Sequence, residues 1–239
     1  MVNVHIVIPS RLGSTRLPEK PLQLIGKKTL IERVFENAKA SNFSSIHIAT
    51  DSDKIASEAS VFCNSVILTS QHHLSGTDRI NELCNIKGFD ENDIIINLQG
   101  DEPFMPIEII NSMPDILNGF DIATACVPFK SIHHVEDPNN VKVCFAHNQA
   151  LYFSRSVIPN NFIKTDVTYF KHIGIYAYKV NTLNYIAKLQ PTKLELSEKL
   201  EQLRFLDHNL KIGIKSFEVE APIGIDTLED LQRAQALVN

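Results

Sequence analysis

The chain has 239 residues, 44% hydrophobic and 21% charged, which is the composition of an ordinary globular protein able to bury a substantial core. Its formal net charge of -5 provides no basic field for wrapping nucleic acid, and no block of like charges forms a tail. No apolar run approaches membrane-spanning length, and the start, Met1-Val2-Asn3-Val4-His5-Ile6, lacks the basic flank of a signal peptide, so a cytoplasmic protein with no membrane insertion is expected.

Residues 4–8 read as a buried strand, and residues 30–41 as a helix with Leu30, Ile31, Val34, Phe35 and Ala38 on one face. A strand at 46–50 follows, then Asp51-Ser52-Asp53 supplies capping oxygens for a helix at 55–62. Further strands are predicted at 65–68 and 94–99. This alternation of strand and helix periods is the pattern of βαβ units around a mainly parallel sheet with right-handed crossovers. From 122 to 178 the pattern changes. Strand-like runs at 122–128, 141–145, 151–153 and 173–178 are joined by loops, which predicts an antiparallel extension. Helical period returns at 194–208, followed by a strand at 212–219 and a closing helix at 227–238. No repeat or linker composition divides the chain, so a single domain, 1–239, is expected. Cys63, Cys84, Cys126 and Cys144 are widely spaced, without a Cys-x-x-Cys pair, and are expected as reduced core residues. The pair His133-His134 is read as lying on a strand, with the two rings on opposite faces.

In open α/β sheets, ligands sit beyond the carboxyl ends of the strands, which singles out three segments. The first, Pro9-Ser10-Arg11-Leu12-Gly13-Ser14-Thr15-Arg16-Leu17-Pro18-Glu19-Lys20-Pro21, sets Arg11, Arg16 and Lys20 among small and hydroxyl residues. Guanidinium forks and a lysine point charge neutralise a triphosphate, while Gly13 and Ser14 let backbone amides approach it. The same segment taken alone is also a solvated basic turn. Neither G-x-G-x-x-G nor G-x-x-x-x-G-K-[ST] occurs, so dinucleotide and P-loop enzymes lose support. The second segment, Asn97-Leu98-Gln99-Gly100-Asp101-Glu102-Pro103, runs a strand into two carboxylates, the hard oxygen ligands that nucleotide-bound magnesium takes, or else a simple Asp turn. The third, Gly224-Ile225-Asp226-Thr227-Leu228-Glu229-Asp230, reads either as ligand-facing or as a helix cap, with Asp230 closing a box on Thr227.

These segments, together with Ala49-Thr50-Asp51, Ser75-Gly76-Thr77-Asp78-Arg79, Tyr152-Phe153-Ser154-Arg155, Lys171-His172-Ile173-Gly174-Ile175-Tyr176 and Leu200-Glu201-Gln202-Leu203-Arg204, occur in order along nearly the whole chain. In that order they resemble the CMP-Kdo synthetases, the 3-deoxy-manno-octulosonate cytidylyltransferases. Sialic-acid cytidylyltransferases share the opening Pro-x-Arg but typically continue with Gly-Ser-Lys, where this chain has Ser14-Thr15-Arg16-Leu17-Pro18.

The resemblance implies a Rossmann-like α/β nucleotidyltransferase fold of the nucleotide-diphospho-sugar transferase type, usually dimeric, with 122–178 as a sugar-binding or dimerisation extension. It implies CTP and Kdo as substrates and Mg2+ as cofactor. Ser10, Arg11, Arg16, Lys20, Ser75, Thr77, Arg79 and Gln99 would bind CTP. Lys20, Asp101 and Asp226 would be catalytic, the two aspartates holding the metal. Arg155, His172, Tyr176, Glu201 and Gln202 would form the sugar pocket, with cationic or donor groups toward the sugar carboxylate and Glu201 or Gln202 toward hydroxyls. Two departures stand out. Ser10 occupies a position commonly Ala, and Glu19 replaces a usual Gly beside Lys20, where a carboxylate repels triphosphate unless it is turned away.

Overall fold

The computed structural model describes residues 2–73 and 75–238. In chain order the elements are β1 (Val4–Ser10), a hairpin of β2 (Leu24–Ile25) and β3 (Lys28–Thr29), α1 (Leu30–Lys39), β4 (Ser45–Thr50), α2 (Asp53–Ala59), β5 (Val66–Leu68), α3 (Gly76–Lys87) and β6 (Ile94–Leu98). They continue with α4 (Ile107–Leu117), β7 (Ile122–Pro128), α5 (Ile132–Glu136), β8 (Lys142–Ala146), β9 (Gln149–Ser154) and β10 (Phe170–Lys179). The last are α6 (Val180–Ile186), α7 (Lys193–Glu198), α8 (Gln202–Asp207), β11 (Ile212–Ser216) and α9 (Leu228–Val238). Contacts divide the chain into two compact units where the sequence predicts one domain. Unit 1 takes the described residues of Met1–Ser112, Lys179–Ala187 and Pro222–Asn239, and unit 2 takes Met113–Tyr178 and Lys188–Ala221. The chain leaves unit 1 and returns twice, which is why no linker composition marks a boundary.

Unit 1 contains four parallel strands in the order β5-β4-β1-β6. Ile6, Val7, Ile8, Ile95 and Ile96 have no exposed surface. Strands covered on both faces read as unbroken apolar runs rather than alternating ones, and this is the pattern of both segments. Helix α1 is started by Thr29, whose hydroxyl accepts from the Glu32 amide, and it buries Leu30, Ile31, Val34 and Ala38 against β1 and β4. Each larger side chain there contributes about 1.5–3 kcal/mol of burial. Because β4, β1 and β6 are parallel, Thr50, Ser10 and Leu98 end on one edge, and the loops that follow carry Asp51, Arg11 and Gln99 to Asp101. Helices α3 and α4 were not predicted. The helical period of α3 is masked by the polar start Gly76-Thr77-Asp78-Arg79, and α4 contains Pro114, which in sequence signals a break.

At the amino edge of the same sheet, polar side chains form a single hydrogen-bonded file. Asp93 can only accept, so the His5 Nε2–H donates to it at 3.4 Å and Nδ1 accepts from the Ser45 hydroxyl at 2.7 Å. Ser45 in turn accepts from His47 Nε2 at 2.9 Å, and His47 Nδ1 accepts from Ser65 at 2.6 Å. Every link is satisfied with both rings neutral, and protonating His5 would present Ser45 with two donors. Burial holds both rings below the usual 6.5; at His5 the Asp93 carboxylate opposes the shift, whereas at His47, lowered to about 4, the His5 and Lys87 charges act in the same direction as burial. The folded protein therefore binds fewer protons than the unfolded chain between 6.5 and about 4, and stability is full above that window and lost as pH falls through it. The expected loss from His47 alone is about 3 kcal/mol. Urea unfolding at neutral and acid pH checks this, with His47→Gln expected to flatten the slope; equal slopes in both proteins would remove the assignment.

Unit 2 has strands in the order β10-β7-β11-β9-β8, with β8 also reaching β10 through Lys142 and Lys171. Only β7 and β11 run parallel; the other pairs are antiparallel, as the change of pattern after residue 122 predicts. A register shift in β10 between Ile173 and Tyr176 is fastened by the Thr124 hydroxyl, 2.8 Å from the Ile175 carbonyl. The predicted helix at 194–208 is instead two, α7 and α8, broken where Lys199 turns left-handed at φ 53. The buried pair Arg204–Glu195, at 2.5 and 2.8 Å, spans the break, so the apolar period continues although the backbone does not. His133 and His134 lie on helix α5, both exposed, and not on a strand. Cys63, Cys84 and Cys126 are buried, Cys144 partly so, and burial pushes the Cys84 and Cys126 thiols up to about 12, which keeps them inert.

Candidate active site

Four of the predicted residues meet at the carboxyl edge of the unit 1 sheet. Lys20 Nζ donates to Asp101 Oδ2 at 2.7 Å and to Asp226 Oδ1 at 3.1 Å, and Arg16 Nη2 lies 3.0 Å from the same Asp226 oxygen. Burial disfavours the Lys20 ammonium, but the two carboxylates outweigh it and raise its pKa, so the charge is kept. A short 3-10 turn, Lys20–Leu22, aims this side chain, with Pro21 buried behind it. Gly100 makes the approach of Asp101 possible: a methyl group there would sit 2.6 Å from the Pro9 carbonyl oxygen. Asp226 does not follow a strand, contrary to the expectation of two strand-end aspartates. Strand β11 ends at Ser216, and the intervening segment is fastened by the Ile225 amide to the Asp101 carbonyl at 2.9 Å. Thr227, not Asp226, caps α9: its hydroxyl accepts from the Asp230 amide at 3.2 Å, while Asp230 Oδ2 accepts from the Asp226 and Thr227 amides. The Asp226 carboxylate is thereby left to face Lys20 and Arg16.

Beside this cluster the nucleotide candidates line the end of β1. The Ser10 hydroxyl is buried without a hydrogen-bond partner among the described residues, so its donor and acceptor are both unused within the protein. Ser75 caps α3 by accepting from the Asp78 amide at 3.1 Å, and Gly76 sits against the Pro9 ring and the Gln99 amide oxygen. Gln99 Nε2 donates to Asn97 at 3.2 Å, and Thr77 is buried. Arg11 is exposed on the loop. Arg79 lies inside the wall, not on it: its guanidinium, 3% exposed, donates to Thr69, Ser70 and Asp51. Asp51 also accepts from the Leu12 amide at 3.3 Å, which joins that wall to the basic loop. Its role was not predicted, since Asp51 reads in sequence as a helix-capping residue. Glu19 is left-handed at φ 49, a conformation that suits glycine, and its carboxylate is held by Lys54 at 2.6 and 2.7 Å. Its charge is therefore offset beside Lys20.

The donor set at Asp101 and Asp226 fits a magnesium ion. Two hard carboxylates already converge on one cation, and magnesium bound to phosphate takes only one or two protein oxygens. Among the described residues no group of three or more His, Cys, Asp or Glu side chains gathers for a metal.

The predicted sugar residues all belong to unit 2. His172 Nε2 lies 3.0 Å from the Thr124 hydroxyl, whose only proton is taken by backbone carbonyls, so Nε2 carries the hydrogen and Nδ1 is an acceptor. Burial lowers His172 to about 3. The ring is neutral, so among the cationic or donor groups expected in the sugar pocket it supplies no positive charge, and its free ring nitrogen is an acceptor. Its ring touches Phe153 edge-on at 4.9 Å and lies 5.5 Å from Tyr176. Burial raises the Tyr176 phenol, and the Glu201 carboxylate raises it further, so it stays a donor. Glu201 stands just before α8, 4.0 Å from Arg204, and Gln202 beside it is buried. Arg155 is turned onto backbone oxygens, with Nε on the Glu198 carbonyl at 2.8 Å and Nη1 on the Pro138 carbonyl at 2.9 Å.

Comparison with known proteins shows what the whole chain is similar to. A model of the cytidylyltransferase family covers residues 5–212. The chain is 45% identical over 249 aligned positions, covering both chains completely, to the 3-deoxy-manno-octulosonate cytidylyltransferase of Francisella tularensis subsp. novicida (strain U112). It is 43% identical to that of Xanthomonas campestris pv. campestris (strain 8004), covering 97% of this chain and 98% of the other. Among solved structures it is similar to CMP:2-keto-3-deoxy-manno-octonic acid synthetase complexed with CTP, with a TM-score of 0.91 and 36% identity over 99% of this chain and 98% of that one.

Proposed function

The chain belongs to the cytidylyltransferase family, and on that basis we propose that it transfers CMP from CTP to the anomeric hydroxyl of 3-deoxy-manno-octulosonate (Kdo), giving CMP-Kdo and pyrophosphate for lipopolysaccharide biosynthesis. The observation that carries this reading is the meeting of Arg16, Lys20, Asp101 and Asp226 at one sheet edge. In the reaction a bond forms between the anomeric oxygen and the α-phosphorus. The bond from that phosphorus to the pyrophosphate oxygen breaks, and the hydroxyl proton is released. No enzyme nucleophile is needed, because positioning and charge stabilisation carry most of such a transfer. Arg11, Arg16 and Lys20 offset the triphosphate charge, and Ser10, Ser75, Thr77 and Gln99 orient the nucleotide, with Arg79 holding their wall through Asp51. Asp101 and Asp226 would hold a magnesium ion, which when bound neutralises phosphate oxygens and orients the triphosphate. On the sugar side, Arg155 supplies positive charge, His172 accepts, Tyr176 donates, and Glu201 and Gln202 meet hydroxyls.

A cytoplasmic place of action follows from the use of CTP, and no helix among the described residues is long and apolar enough to cross a membrane. A homodimer formed through unit 2 is supported by Leu151, Phe162 and Ile163, which are 58%, 86% and 76% exposed. The test of function is pyrophosphate release by the purified protein with CTP and magnesium, offered Kdo, an amino-substituted Kdo or sialic acid in turn. Kdo is expected to give the highest kcat/KM. Release with sialic acid and none with Kdo would overturn the substrate while leaving the family in place.

A further inference from the structure

Lys142 has no exposed surface, and none of the roles above calls for an ammonium at its position. Strand β8 sets it in register between Ser154 of β9 and Lys171 of β10. Its Nζ donates to the Asp137 carbonyl at 3.2 Å and to the Arg155 carbonyl. Arg155 binds the neighbouring Pro138 carbonyl of the first of these stretches and, on its other side, the Glu198 carbonyl. Glu198 completes the brace, but its carboxylate is occupied by the Ser154 hydroxyl at 2.7 Å and the Arg155 amide at 2.9 Å. Two cations are thus tied into one turn by carbonyl oxygens, and among the described residues neither has a carboxylate within ion-pair distance.

A buried cation carries a large desolvation cost that carbonyl dipoles offset only in part. That cost is reduced further when an anion docks nearby, and with His172 neutral the positive charge for an acidic sugar must come from elsewhere. We propose that Lys142 is a positioning residue for the sugar carboxylate: it locks the main chain of Arg155 and places a second positive charge behind that guanidinium. This rests on the Kdo reading above. Burial lowers the Lys142 pKa; the Asp137 and Glu198 carboxylates oppose the shift and Arg155 adds to it. Lys171 is its cross-strand neighbour on β10.

The test is steady-state kinetics of Lys142→Met with Kdo and CTP varied separately, after turnover of the parent protein with Kdo has been measured. The KM for Kdo is expected to rise about tenfold as Arg155 loses its fixed main chain and the charge behind it, with the KM for CTP and kcat within about twofold. A purely structural lysine would lower the melting temperature and leave the ratio of the two KM values unchanged, and that result overturns the proposal. If the variant does not fold, the parent protein decides: its KM for Kdo should climb with alkaline pH below the ordinary lysine value of 10.5, with no matching climb for CTP, and should still do so in Lys171→Met. A flat profile overturns the proposal. Absence of parental turnover with Kdo removes the substrate reading and this inference together, whereas turnover with an unchanged KM in Lys142→Met removes this inference alone.

Discussion

Lys20→Met is expected to lower kcat/KM for CTP by about tenfold to a hundredfold, the equivalent of one or two lost charge-assisted contacts at about 1.5–3 kcal/mol each. The side chain is 16% exposed and its ammonium lies between Asp101 and Asp226, so it is held in place before substrate arrives. Methionine keeps the length of the stem and removes only the charge and its three donors. Asp101 and Asp226 would then face one another without the lysine between them. They are 33% and 48% exposed, so water screens much of that repulsion and the melting temperature should change little. Arg16→Ala is expected to cost less, because Arg16 is 61% exposed and makes a single ion pair with Asp226. Kinetics with CTP varied, alongside thermal unfolding, separate these effects. Parental kcat/KM in Lys20→Met would return the segment to a solvated basic turn.

What the sequence made legible divides along physical lines. The parallel strands of unit 1 were readable because burial on both faces writes continuous apolar runs, such as Ile94-Ile95-Ile96, and the turns after them display polar residues that a core would exclude. The basic loop and Asp101 were found by that rule. Asp226 was singled out by the same rule although no strand leads directly into it, since the segment before it is irregular and is fixed by one backbone bond to Asp101. Lys142 and Glu198 were not legible. Lysine between Val141 and Val143 reads as the solvent side of an alternating strand, and only the fold reveals that side to be closed by Arg155 and its carbonyl partners. Glu198 likewise reads as an exposed helical residue, and its two acceptor bonds to Ser154 and Arg155 join residues more than forty positions away in sequence. The protonation state of His172 was left open between cation and neutral donor, because sequence does not report the desolvation that neutralises it.

Asp101→Asn and Asp226→Asn are each expected to remove most turnover, by about tenfold or more, while the protein stays folded. Asparagine retains size and one acceptor but gives up the charge that a hard divalent cation requires from its few protein ligands. For Asp226 the competing explanation, that it serves only to start α9, is disfavoured by the placement of the cap. Thr227 and Asp230 satisfy the first amides of that helix, and Asp226 contributes its own amide to Asp230, which asparagine leaves unchanged. The two roles therefore separate in paired variants. Thr227→Ala should lose about 1 kcal/mol of stability as a missing cap and keep its magnesium dependence. Asp226→Asn should keep its melting temperature and need more magnesium for whatever turnover remains. The corresponding loss in Asp101→Asn is expected to be at least as large, since its carboxylate makes the shorter bond to Lys20, 2.7 Å against 3.1 Å, and lies deeper in the cluster. Magnesium titrations of turnover, read beside thermal unfolding of all three variants, decide the matter. Should Asp226→Asn melt early yet turn over like the parent at saturating magnesium, the carboxylate would be structural, and the metal would be left to Asp101 and the oxygens of the substrate.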